Sequence, residues 1–222
     1  STGVSYDAKK IFARDPNPPI GSADMLYDAE TISKFADCGI SILDSPTDVV
    51  PQALVYLGYD DSSKDPKELQ EAEDLLHEAR PYIKKFTSST LLNDLANGDV
   101  CIAMSWAGDY ATASARAKEA GKDIDLRYFV PEEGGLLWVD IIVIPKDAKN
   151  IENAYLLLDY LLRPQVSADF VNLTHYASPV PEAKAFIKEE VLNDTAVYPT
   201  PEIMDRLFFT EVDPPKYTRI KT

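Results

Sequence analysis

Leu136-Leu137-Trp138-Val139-Asp140-Ile141-Ile142-Val143-Ile144 is the stretch on which the reading of this chain turns. Its β-branched, almost wholly apolar composition predicts a buried strand, and one carboxylate sits inside it. Side chains alternate along a strand, so Trp138 and Asp140 share a face with Ile142, while Val139 and Ile141 face the other way. A buried, unpaired carboxylate costs several kcal/mol and needs a cation, a set of donors or a route to water. Two readings follow. An aromatic ring two residues from a carboxylate can seat an ammonium guest, which brings both countercharge and a cation–π contact. Alternatively, backbone amides or a neighbouring Arg satisfy Asp140. Spacing alone leaves both open.

Outward from this stretch, short strands alternate with longer helices, the pattern of a parallel-rich α/β fold. The chain opens as though in mid-strand and passes a proline-rich loop from Pro16 to Pro19. A short helix near 28–37 buries Ile32 and Phe35 and ends at Gly39, and a strand follows over 40–43. Helices are predicted over 48–57, from Asp65 with Pro66 at the first position, and from Ser89 to Gly98. A strand over 100–104 leads through a tight Ser105-Trp106-Ala107-Gly108-Asp109 into a helix ending at Gly121. A strand over 126–130 and a Glu-Glu-Gly-Gly turn precede the strand carrying Asp140. Asn150 then caps a helix with the stripe Ile151, Ala154, Tyr155, Leu158, Leu161 and Leu162. Pro164 opens another, with Val166, Phe170 and Val171 facing in, and one more is expected near 182–191, before a basic, irregular end.

A chain of 222 residues with 45% hydrophobic content can bury one large core or two modest ones. Its net charge of −15 argues against nucleic acid, whose binding depends on Lys and Arg neutralising phosphates, and is compatible with a cationic ligand. No apolar run of about 18 residues is present to span a membrane as a helix. Cys38 and Cys101 each open a short apolar run. If those runs are neighbouring parallel strands, the two residues lie at the same end and can be bridged, as suits an oxidising compartment. Two buried free thiols are the alternative.

In parallel α/β sheets, ligands bind where strand carboxyl ends meet loops and helix N-termini. Asp44 follows one such end, and the Trp106–Asp109 turn follows another. Asp109 also reads as the N-cap of the next helix, and Trp106 as core. Yet aromatic-plus-acid recurs, as Trp106/Asp109 and Trp138/Asp140, which strengthens the ammonium-receptor reading over either site alone. Catalytic patterns are poor: two histidines, no nucleophile elbow, no Walker loop, no HExxH and no GxGxxG. Neither metal nor cofactor is expected. A carboxylate-dependent hydrolase with an acidic cleft is the reading from another class.

The chain resembles the polyamine-binding periplasmic proteins of bacterial ABC transporters, the spermidine/putrescine-binding family. The matching stretches are Cys38-Gly39-Ile40-Ser41-Ile42-Leu43-Asp44, Leu95-Ala96-Asn97-Gly98-Asp99-Val100-Cys101, Trp106-Ala107-Gly108-Asp109, Pro131-Glu132-Glu133-Gly134-Gly135, Trp138-Val139-Asp140, and Tyr155 to Pro164. The resemblance implies a type II-like periplasmic binding protein of two α/β lobes, non-enzymatic and monomeric, delivering putrescine or spermidine to a membrane permease. A polyamine sensor is a further variant of that reading. The resemblance further implies that roughly the N-terminal third of such a protein is missing before Ser1, so that the first lobe is incomplete. Residues 1–120 would form the main part of the second lobe, 121–173 a portion of the first, and 174–222 the return to the second. Trp106 and Trp138 would pack on the ligand's methylenes, Asp109 and Asp140 would bind ammonium groups, and Tyr176 would add a wall or hydroxyl. Asp44 matches an acidic position of some members. Thr47 stands where the family often has an acid, with Asp48 next to it as a possible substitute. The two cysteines match a pair that can be bridged in the family. Weak or absent polyamine binding is expected of this chain alone.

Overall fold

The computed structural model describes residues 1–211; the remaining residues, 212–222, which hold the expected basic end, lie outside the described part. Strand β1 (Thr2–Asp7) is buried along its whole length. Asp7 caps the short helix α1 (Ala8–Phe12) by accepting from the Lys9 N–H. Helices α2 (Asp24–Tyr27) and α3 (Ala29–Ser33) bring Met25, Leu26, Tyr27 and Ile32 into the core. Gly39, at φ 89°, then turns the chain into β2 (Ile40–Ile42). A Cβ on Gly39 would meet the Asp99 carbonyl oxygen at 2.9 Å, so both conformation and space require glycine there.

Helices α4 (Pro46–Tyr56) and α5 (Pro66–Ala79) each start on a proline, whose missing N–H is unused at that position. Asp65 caps α5 through the Lys67 N–H, as its position predicts. After β3 (Lys85–Phe86) comes α6 (Leu91–Asn97), whose N-cap position is held by Thr90 rather than Ser89 and which closes on left-handed Gly98. Strand β4 (Ile102–Trp106) runs directly into α7 (Ala107–Glu119), and β5 (Leu126–Phe129) follows.

These strands form one sheet in the order β3-β2-β4-β1-β5. β2 is parallel to β3 and β4, whereas β1 is antiparallel to both β4 and β5, so the sheet is mixed. The carboxyl ends of β2 and β4 therefore lie at one edge, where residues 44–48 and 106–109 emerge. At the opposite ends, Cys38 and Cys101 form a disulfide with Cα atoms 5.5 Å apart. The core packs Tyr27, Phe35, Leu54, Leu91 and Leu95 around Ile40, Ile42 and Ile102.

The stretch around Asp140 departs from its expected form. Only β6 (Gly135–Leu136) is a strand there, because β7 (Leu207–Phe208) offers a parallel ladder partner to those two residues alone. Beyond it Val139 and Ile141 are 70% and 77% exposed, and Asp140 is exposed with them. Helix α8 (Ile151–Leu161) forms where expected, but it buries no residue, so its stripe does not face a core among the described residues. In α9 (Pro164–Thr174) Val171 is buried, whereas Phe170 is exposed and Val166 lies between. The single helix expected near 182–191 is instead a 3-10 turn (Pro181–Phe186) and a short α10 (Glu189–Leu192), followed by α11 (Pro201–Met204). The backbone extends at Ile187 and Lys188, which lets Ile187 reach a small cluster with Ala168, Val171, Val191 and Val197.

Candidate functional site

Trp106 is both the last residue of β4 and the residue preceding the first turn of α7. Asp109 lies within that turn, not at the N-cap position. Its side chain is partly buried and makes no hydrogen bond or ion pair with another described residue; burial raises its pKa above the ordinary carboxylate range. A carboxylate held this way is short of a cation.

Tyr176 reaches the same place from the other side. His175, at φ 57°, ends α9 in the left-handed conformation and turns the chain back toward α7. The Tyr176 ring then lies on the bare Cα of Gly108: a Cβ there would sit 2.3 Å from it. Trp138 packs against Tyr176 with ring centroids 5.5 Å apart, and against Trp106 edge-on at 6.4 Å. Three rings thus form one cluster, and the buried Trp138 Nε1 has no acceptor among the described residues. Burial pushes the Tyr176 hydroxyl up, and the charges of Asp109 and Asp140 push it further. Asp140 is thereby placed beside the cluster, and it too has no ion-pair partner among the described residues. Its carboxylate is not inside a strand as expected; it is exposed, within the field of Tyr176.

Gly108→Ala tests this packing. Alanine favours a helix over glycine by about 1 kcal/mol, but overpacking costs about 1–3 kcal/mol. The substitution should therefore lower urea-unfolding stability in the native background and raise it in a Tyr176→Ala background. Equal effects in both backgrounds would mean that the ring is not what excludes the methyl group.

Neither Asp44 nor Thr47 hydrogen-bonds a ring of the cluster among the described residues. Both are exposed, and Thr47 Oγ1 is 3.2 Å from Ser45 Oγ. Asp48 is buried, and its Oδ1 accepts from Thr2 Oγ1 at 2.9 Å and from Trp106 Nε1 at 3.2 Å, while Oδ2 accepts from Ser45 Oγ. Sequence reasoning missed this link to the indole. The Ser-x-x-Asp spacing at 45–48 reads as a helix start, and nothing local points to Trp106. Gly108 carried a usable signal: glycine in a first turn, one residue before a candidate ligand, marks a close approach.

The sequence model of the bacterial extracellular solute-binding proteins matches residues 1–200. The putrescine-binding periplasmic protein SpuD of Pseudomonas aeruginosa is 37% identical over 221 residues, covering 99% of this chain and 60% of that protein. The putrescine-binding periplasmic protein PotF of Escherichia coli is 39% identical over 224 residues, covering 100% of this chain and 60% of its own length. This chain thus spans about 60% of the length of these relatives. Among solved structures, the spermidine/putrescine ABC transporter substrate-binding protein PotD of Streptococcus pneumoniae, in complex with calcium and HEPES, superposes with a TM-score of 0.80 at 28% identity. That match covers 99% of this chain and 63% of PotD.

Proposed function

The chain belongs to the bacterial extracellular solute-binding protein family, and from that premise we propose that its site takes a linear polyamine, putrescine or spermidine, for delivery to an ABC permease from the periplasm. One observation carries the reading: two carboxylates without host cations among the described residues, Asp109 and Asp140, adjoin the cluster Trp106, Trp138 and Tyr176. A polyamine offers separated ammonium groups on a methylene stem. The carboxylates supply charge-assisted hydrogen bonds to those groups, and the rings cover the stem while excluding water. Putrescine binding in the names of SpuD and PotF supports the ligand class.

The lobed layout fits this reading with one adjustment. Residues 1–129 are taken as the main part of the second lobe, a reading supported by the pairing of β5 with β1 on the main sheet. The exposed faces of 139–143 and α8 are then the surfaces that a completed first lobe covers.

Titration calorimetry tests the ligand class. The 222-residue chain should take up putrescine and spermidine weakly, and Asp140→Asn should remove that uptake. Joining the chain to the segment that SpuD and PotF carry beyond the match should tighten it. Equal heats from uncharged 1,4-butanediol, or no response to Asp140→Asn in the joined protein, would overturn the polyamine reading.

A further inference from the structure

An apolar groove of about 580 Å³ lies between α4, α5 and β3. Val50, Leu69, Leu76 and Phe86 line it, and none of them belongs to the ring cluster. Leu69 and Leu76 are only partly buried where they pack against the core. Phe86 is 43% exposed, with the Arg80 guanidinium carbon 5.3 Å from its ring centre. β3 is also the end strand of the sheet and has no partner on its outer side among the described residues. Apolar walls beside an open strand edge are a place for a further segment to pack.

The chain itself comes back to this place. The N–H of Glu211, the last described residue, donates to Ser62 Oγ at 3.3 Å, and its carboxylate pairs with Lys64 at 3.7 Å. Pro66, two residues beyond Lys64, is both the first residue of α5 and part of the groove wall. The chain beyond Glu211 thus departs from beside the groove. From Pro66 to Arg80 a helix axis rises about 21 Å, whereas the eleven residues 212–222 can span about 36 Å, enough to cover its whole length.

Charge matches as well. α5 carries Glu68, Glu71, Glu73, Asp74 and Glu78 against a single Lys, and the last three of these acids pair with no Lys or Arg among the described residues. The sequence Val212-Asp213-Pro214-Pro215-Lys216-Tyr217-Thr218-Arg219-Ile220-Lys221-Thr222 holds three bases and one acid, in a chain whose net charge is −15. Its two largest apolar residues, Tyr217 and Ile220, alternate with those bases.

We propose that residues 212–222 are the occupant of this groove, with Tyr217 and Ile220 against Leu69, Leu76 and Phe86 and with the three bases facing the carboxylates of α5. The segment then shields the β3 edge from a second copy of the chain. Which ligand the ring cluster takes has no bearing on this contact.

Hydrogen–deuterium exchange on the 222-residue chain tests it. Tyr217→Ser/Ile220→Ser should speed exchange of the α5 and β3 amides about tenfold and leave β1 and β4 unchanged, as local opening of that face alone requires. Lys216→Glu/Arg219→Glu/Lys221→Glu should do the same. On the unmodified chain, raising the salt to about 0.5 M should loosen α5 in the same direction, since screening weakens attraction between exposed charges. This last measurement needs no variant to fold. Unchanged α5 and β3 exchange in the folded variants and in salt would overturn the proposal. So would protection that rises with protein concentration while the chain sediments as a dimer, since a second copy would then be the occupant.

Discussion

Replacing Cys38 and Cys101 together by alanine should lower the free energy of unfolding by about 4 kcal/mol, the chain-entropy value for a cross-link spanning 63 residues. For a chain of this size that corresponds to a fall in Tm of about 10 °C. The bond joins the amino-terminal ends of two adjacent parallel strands whose carboxyl-terminal ends carry the candidate site. Trp106 stands about 13 Å of strand away from Ile102, at 3.3 Å per residue. The loss should therefore be one of stability and leave the ring cluster as it is: denaturant midpoints shift, while the near-ultraviolet spectrum of the folded form does not. Reduction of the native chain, with both sulfurs retained, should reproduce the shift. A loss below about 1 kcal/mol would mean that the reduced, unfolded chain keeps β2 and β4 close without the bond.

The parts of the fold that could be read in advance are those set by local chemistry. Proline at the first position of α5 with Asp65 ahead of it, glycine at 39 and 98, and the two cysteine-led apolar runs each act within a few residues, and each appears where expected. The apolar run around Asp140 shows the limit of this kind of reading. Periodicity reports which side chains would gain from burial, not whether a ladder partner is there to bury them, and β7 pairs only with Gly135 and Leu136. The same reason leaves α8 formed but uncovered. Nothing in Thr2–Asp7 distinguishes an antiparallel central strand from a parallel one, since that orientation is decided by β4 and β5. Of the site, the recurring tryptophan-plus-aspartate pattern identified residues that do come together. The bond from Trp106 to Asp48 joins positions 58 residues apart and could come only from the tertiary structure.

Asp109→Asn should have opposite effects on the free and the ligand-bound protein. Burial raises the folded-state pKa of Asp109 above its unfolded value, so the folded chain holds this proton more tightly than the unfolded chain does. The stability this lends is complete below the unfolded carboxylate range and is lost as pH rises through the raised pKa. At neutral pH the ionised group is thus a cost to the free fold, and asparagine, which cannot ionise, should unfold at higher denaturant than the parent. In acid, where aspartate is protonated, the advantage should vanish. Binding should move the other way. An ammonium beside Asp109 supplies the missing countercharge, and removing one partner of such a pair costs about 2–5 kcal/mol, so affinity should fall about thirtyfold or more. The parent's affinity should weaken as pH drops through the raised pKa. The Asp109→Asn variant should lack that component and keep only what the other carboxylate beside the rings, Asp140, contributes; Tyr176, whose hydroxyl is pushed further up, stays neutral throughout. Denaturant midpoints and putrescine titrations at several pH values, on the parent and the variant of the joined protein, check both halves. A variant less stable than its parent at neutral pH would contradict the burial cost, and one that binds putrescine equally well would remove Asp109 from the site.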